Sequence, residues 1–476
     1  MGYGSYLENI VGIIPELVLV CAILVSLVAG MFVKETIIRG MAVGFSGIAV
    51  AVSFFELNFY GKCGPLLGGL LIRTDYIYLA RVLVIAATFV VSLMYLFVQR
   101  SYRYEFSVMM LLASLGAVTV VEANNFLSFY LSFELVGFSS YIMTCFNRSN
   151  TASSEAAVKF FILGAMSSCI MLYGISFIYG YSTSLSFDVL KDVLLGRGTI
   201  GVTFGCTLCL IGVLFKLAAV PFHTWVPDTY RGAPTATVAF FTLVSKTAIT
   251  LLCARFAAEL PTIGEGFQKI MLVLAALSVT VGELGALQQR NMKKLVAYAN
   301  IGHLGYVLAG IGAGSVAAAP VLYYVIVYFF INACVFSILL KYDDDGFDML
   351  KIAGMGSKNP VSACILVVTM LALAGLPPFP GFFAKYSILR AIVGGVTDAF
   401  SVYTLISILS LSVASIIPCF YCFRIAKVIY FDEASEDYID VSGRGLCIVT
   451  GACILLGVSM IPLMNSFMWY FGHFPR

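Results

Sequence analysis

Five ionisable residues stand where the surrounding chain is apolar enough to enter a bilayer: Glu134 in FYLSFELVGFSSY, Lys216 in GVLFKLAAVPF, Lys246 in TLVSKTAITLL, His303 in YANIGHLGYVL and Lys385 in GFFAKYSIL. A charge at mid-membrane costs about 3 kcal/mol or more, so each is a functional hypothesis from the outset. Residues of these types at similar depth on different helices can pass protons in the membrane plane. Burial favours the neutral amine of a lysine and a nearby carboxylate favours the ammonium, so a lysine held between the two tendencies can gain and lose a proton. Two static readings stand beside this one. Glu134 with Lys216 would also serve as a fixed buried ion pair, and His303 as a core histidine bonded to a backbone carbonyl. Lys159, near the inner end of its span, is a weaker candidate because its stem can snorkel to the interface. Glu16 and Glu283 fall toward span ends, where water is available.

The helices that must hold these groups are written in the composition. The chain has 476 residues, 61% hydrophobic and 11% charged, with a mean hydropathy of +0.98, far from a soluble average. Apolar blocks of about 20 residues recur from end to end, implying one polytopic helical membrane domain over 1–476 rather than a soluble domain with an anchor. About fourteen spans fall near 10–32, 38–59, 76–98, 105–122, 125–146, 156–180, 200–228, 234–256, 267–287, 295–314, 316–340, 359–391, 399–430 and 446–470. Loops are short except GKCGPLLGGLLIRTD, STSLSFDVLKDVLLGRG, KYDDDGFDMLKIAGMGSKN and FDEASEDYIDVSGRG. Two spans exceed the length a bilayer needs and carry proline inside, 200–228 with Pro221 and 359–391 with GLPPFPGFF. Pro221 cannot bond the carbonyl four residues back, so Leu217 C=O, beside Lys216, is left open. Paired broken helices in opposite crossing directions point to an ion site within an inverted repeat. His223 and Asp228, on the inner side of the Pro221 break, are placed to feed protons from the cytoplasm, and Trp225 and Tyr230 fit an interfacial aromatic belt.

Lysine and arginine set the orientation. With the N-terminus outside, about fifteen basic residues fall in inner segments, among them Lys34, Arg39, Arg100, Lys293, Lys294, Lys341 and Lys358, against about six outside, including Lys62 and Arg73. Both termini are therefore expected outside. The N-terminal stretch lacks a basic n-region and a cleavage site and reads as a retained span. The net charge of +3 argues against nucleic acid as a partner. Asp343 to Asp345 with Asp348 do not match an EF-hand. Cys206/Cys209 and Cys419/Cys422 have C-x-x-C spacing but stand in apolar runs as small hydrophobes rather than cluster ligands.

FKLAAVPFHTWVPDTYRGAPT, then NMKKLVAYANIGHLGY, then LAGLPPFPGFFAKY make the chain resemble the antiporter-like membrane subunits of respiratory complex I. The resemblance covers nearly the whole length in span count and motif order. It implies an all-α fold of about fourteen transmembrane helices with two inverted five-helix repeats, here 105–256 and 267–430, each with a broken helix. By motif match the family's key residues fall on Glu134, Lys216, Lys246 and Lys385, with Lys159 and His303 secondary. M-type subunits usually have Glu at the place of Lys385, and L-type subunits have His at the place of Lys246 and a long C-terminal lateral helix, which leaves the N type. Arg231 departs from the acidic residue usual in the PDVYEGAP motif, and Glu283 matches no family position. What the resemblance implies is proton translocation in a bacterial inner membrane, driven by quinone reduction. No cofactor is expected on this chain: NADH, FMN, iron–sulfur clusters and quinone belong to partner subunits, the neighbours in the bilayer being other antiporter-like and small membrane subunits. The rivals are a subunit of a cation/proton antiporter complex and a non-pumping anchor of a redox arm.

Overall fold

Residues 11–59, 64–98, 102–147, 149–195, 200–259, 265–314, 318–342, 348–395 and 401–433, with 451 and 457, are described in a computed structural model. The apolar blocks form helices, and their starts follow local chemistry. Thr74, Asn125, Asn150, Asn291 and Ser401 each accept a hydrogen bond from a backbone N–H of the turn they open, a cap worth about 1 kcal/mol. Eleven helices among the described residues are long and apolar enough to cross a membrane, and Ile14–Ala29 and Pro360–Ala374 are shorter apolar helices. Thirteen of the fourteen expected spans thus carry helix, and the last, 446–470, lies outside the described residues apart from 451 and 457.

The chain divides into two compact units, Met1–Lys216 with Ala236–Leu252, and Leu217–Thr235 with Cys253–Arg476. The first contains α1 (Ile14–Ala29), α2 (Glu35–Phe59), α3 (Asp75–Leu96), α4 (Glu105–Glu122), α5 (Phe126–Thr144), α6 (Thr151–Ser182), α7 (Phe187–Leu195) and α8 (Ile200–Leu217, whose last residue falls to the second unit). Neighbours in sequence pack as antiparallel neighbours from α1 to α6. The glycine-rich segment before α3, expected as loop, is a hairpin of β1 (Gly64–Leu66) and β2 (Leu71–Arg73), with Gly64 opposite Arg73. After the excursion into the second unit the chain returns as α10 (Thr235–Phe240), one π turn (Phe241–Ser245) and α11 (Lys246–Glu259). The π turn packs on α3 and α4.

The second unit begins with the irregular segment 218–224 and α9 (Trp225–Gly232), then continues with α12 (Glu265–Leu287), α13 (Met292–Gly312), α14 (Ala318–Leu339), the short α15 (Met355–Lys358), α16 (Pro360–Ala374), α17 (Pro380–Gly395), α18 (Val402–Ala414) and α19 (Ile417–Tyr430). Its core is α13, on which α12, α9 and α17 pack. Every residue of α13 except Lys294 and Tyr298 is buried. Small residues let its neighbour approach: a Cβ built on Gly282 would lie 2.4 Å from the backbone N of Gly302. The long span 359–391 is two half-helices with 375–379 between them, and 399–430 is likewise divided, at Ser415.

Candidate functional site

The Pro221 break is more than a kink. Helix α8 stops at Leu217, Ala218 takes a left-handed φ of 62°, and regular helix resumes only at Trp225. A buried alanine in that conformation carries local strain of order 1 kcal/mol. Lys216 therefore occupies the last turn of α8, where a cation meets the helix's unsatisfied carbonyl end. Its Nζ donates to Tyr141 Oη at 3.4 Å and lies 4.9 to 5.6 Å from the rings of Phe133, Tyr141 and Phe160. The slot exists because position 137 has no side chain: a Cβ there would be 2.9 Å from Nζ. Glu134 is its electrostatic neighbour. They form no ion pair, however, and Glu134 Oε1 is buried without a hydrogen-bond donor. The fixed pair weighed from the sequence is thus not what the structure contains.

Lys246 also sits at a helix irregularity, immediately after the π turn, and is 3% exposed. Single π turns inside α-helices are frequent at functional sites. The strand of chain around it is tied down by Thr237 Oγ1 donating to Met143 O and by Tyr76 Oη donating to Leu251 O.

In the second unit the third lysine closes a helix break. Helix α16 ends at Gly375, whose φ of 82° suits glycine, and Lys385 reaches back from α17 to donate to Ala374 O at 2.8 Å. The open carbonyl of one half-helix is thus satisfied by the ammonium of the other. A Cβ on Gly375 would lie 2.9 Å from Lys385 Cδ, so that position is glycine for space as well as for φ. Lys385 Nζ stands 5.0 Å over the Tyr306 ring, which stacks on Tyr324 at 6.0 Å. Tyr324 Oη bonds His303 Nδ1 at 2.7 Å, so the histidine's partner is a hydroxyl, not the backbone carbonyl of the static alternative. His303 Nε2 is buried without a hydrogen-bond partner. His303, Tyr324, Tyr328 and Lys385 line a cavity of about 10 Å³, room for about one water.

Two carboxylates read as span-end residues are interior groups. Glu283 is 0% exposed; Tyr421 Oη donates to its Oε2 at 3.3 Å, Oε1 lies against Gly302, and Lys385 is its electrostatic partner. It stands one turn from the end of α12, but α13, α18 and α19 pack on that helix, and lateral packing is invisible to a hydropathy pattern. Glu16 is buried with Arg73 and Arg81. Lys159 is the opposite case. Its side chain is 47% exposed and pairs with Glu155 at 2.7 Å. Trp225 and Tyr230, expected in an interfacial belt, are 4% and 0% exposed, covered by the packing of α9 on α13. Asp228 pairs with Lys294 at 3.3 Å, and His223 is half-buried. Arg39, Arg73, Lys293 and Lys341, counted as loop cations, are buried. An inner excess remains without them.

The cysteines Cys206, Cys209, Cys419 and Cys422 are free thiols; Cys209 Sγ donates to Met171 O and Cys422 Sγ to Met370 O. Among the described residues no group of three His, Cys, Asp or Glu side chains is placed to hold a metal. Asp343 to Asp345 lie outside the described residues.

Residues 123–412 match the family model for the transmembrane part of NADH:quinone oxidoreductase and Mrp antiporter subunits. NADH-quinone oxidoreductase subunit N of Anaplasma phagocytophilum is 51% identical over 460 residues, covering 96% of this chain and 99% of the relative. A chain of respiratory complex I from Thermus thermophilus superposes with a TM-score of 0.80 at 24% identity, covering 95% of this chain and 97% of that one. A chain of the Mrp complex from Dietzia superposes at 0.81 with 18% identity, covering 98% and 96%, which extends the shared fold to antiporter complexes. With the model matched across more than half its length and a relative at that identity, this chain belongs to the antiporter-like membrane subunits of NADH:quinone oxidoreductase, in the subunit N group.

Proposed function

We propose that this chain translocates protons as a membrane subunit of a NADH:quinone oxidoreductase, using Lys216, Lys246, Lys385, Glu134 and Glu283, with His303 as the branch from Lys385. The observation that carries the reading is shared by the lysines: each is buried at an interruption of its helix. An ammonium in such a place is bound by backbone carbonyls and ring faces rather than locked to one carboxylate, so a small movement of either half-helix changes how well its charge is held. Lys385 Nζ holds its proton against Ala374 O; a water in the adjoining cavity would join it to His303 Nε2, and Tyr324 orients that ring. The energies suit the task, since one charge moved through about 100 mV is worth about 2.3 kcal/mol.

On this reading 105–256 and 267–430 are the two inverted repeats, each holding one broken helix. NADH oxidation and quinone reduction take place on partner subunits, which carry the FMN and iron–sulfur clusters. The chain sits in a bacterial inner membrane with both termini periplasmic. The test is Lys216→Ala and Lys216→Arg in the assembled, reconstituted complex. Alanine removes the titrating group; arginine keeps the charge but binds its proton too tightly to release it. Both variants should lower the proton-to-electron ratio. If both pump at the parental ratio, Lys216 is not a relay residue and the reading falls. Co-purification separates the rival assembly: flavin- and iron–sulfur-bearing partners after mild extraction support the oxidoreductase, whereas small membrane partners alone would indicate an antiporter.

A further inference from the structure

Helices α1 to α4 bury an ionic cluster outside the lysine sites. Glu16 opens α1, Glu56 lies near the end of α2, Arg73 closes β2, Arg81 lies in the second turn of α3 and Glu122 ends α4, so the antiparallel order gathers them at one end of the four helices. Their exposures are 7%, 3%, 1%, 0% and 0% in that order. Arg73 Nη1 pairs with Glu122 Oε1, and its Nη2 lies 3.4 Å from both oxygens of Glu16. Arg81 Nη2 pairs with Glu56 Oε2, its Nη1 is 3.5 Å from Glu16 Oε1 and its Nε 3.9 Å from Glu122 Oε1. Both guanidinium groups also donate to Gly12 O and stand over the Tyr78 ring.

Among the described residues the charges do not balance. Three carboxylates meet two guanidinium groups, and among the described residues no third cation comes within ion-pair distance of them. A buried net charge costs several kcal/mol, and a proton removes it. Glu16 and Glu122 are the two carboxyl groups that both guanidinium groups reach, whereas Glu56 pairs with Arg81 alone. Glu122 Oε2 and Glu56 Oε1 are fully buried and receive no protein donor. We propose that Glu16 and Glu122 share one proton, which makes this cluster a proton-binding site separate from the buried lysines. It does not rest on the translocation role assigned to those lysines.

The experiment is infrared difference spectroscopy on the intact complex in lipid, parental minus Glu122→Gln. If the pair holds a proton, removing either carboxyl releases it, because the survivor is then needed as the second anion. The spectrum should lose one protonated-acid carbonyl band, shifted in D2O, with the carboxylate bands unchanged. Parental minus Glu16→Gln should give the same loss. Carboxylate bands lost with the acid region unchanged, as three anions or a bound metal cation would give, overturn the proposal. A shared proton also means that one amide replacement preserves the neutral count. If neither variant assembles, the proposal is likewise overturned.

Discussion

Replacing Glu283 by glutamine and by alanine separates charge from hydrogen bonding. Glutamine keeps an acceptor for Tyr421 Oη and fills the same space against Gly302, so the complex should assemble with near-parental thermal stability while its proton-to-electron ratio falls. Alanine leaves a buried hydroxyl without an acceptor, a loss of about 1–3 kcal/mol, and should lower the unfolding temperature as well. Equal stability of the two would show that the Tyr421 bond contributes nothing. The burial of Lys216, Lys246, His303 and Lys385 was legible in the sequence because each stands alone in a long apolar run, where hydropathy itself marks the anomaly. Glu283 was not: a carboxylate one turn from a helix end looks wet until the packing of α13, α18 and α19 is known. The exposure of Lys159 was hidden for the converse reason, since a one-dimensional pattern does not say which face of α6 turns outward.

Helix interruptions divide into those the sequence announces and those it hides. Pro221 and the run Pro377, Pro378, Pro380 announce two breaks, because proline removes a donor from the ladder. The π turn before Lys246 is spelled FTLVS, with neither glycine nor proline, and only packing on α3 and α4 reveals it. The close approach of α12 and α13 gives a graded prediction. At Gly282 an added methyl meets the backbone N of Gly302 at 2.4 Å, whereas at Gly302 it meets the Glu283 carboxylate at 2.7 Å. Backbone yields less readily than the end of a side chain. Gly282→Ala should therefore destabilise by about 1–3 kcal/mol or more, read as loss of assembled complex, and Gly302→Ala by less, with pumping affected first. At Gly137 the obstacle is Lys216 Nζ, so Gly137→Ala should reduce pumping with little change in assembly. Assembly lost as severely as with Gly282→Ala would contradict this.

The proposed orientation rests on charge outside the buried set, and cysteine labelling tests it. In a cysteine-depleted background, Lys358→Cys should react with a membrane-impermeant thiol reagent from the cytoplasmic side and Pro65→Cys from the other, both being exposed positions. The reverse pattern would invert the assignment. The division of the chain has a further consequence, in time rather than space. Residues 217–235 pack with the second unit although the residues on both sides belong to the first. The Val220 amide donates to Ser278, the Ala233 carbonyl accepts from Lys293, and Asp228 pairs with Lys294, so their partners follow 58 to 66 positions later. At about 5–20 residues per second, a ribosome takes on the order of several seconds to supply them. During that interval a chain arrested just beyond Leu252 holds the whole of its first unit and a polar segment with none of these contacts. Slow codons between 253 and 292 should therefore lower the yield of inserted protein, and the same codons after Gly312 should not.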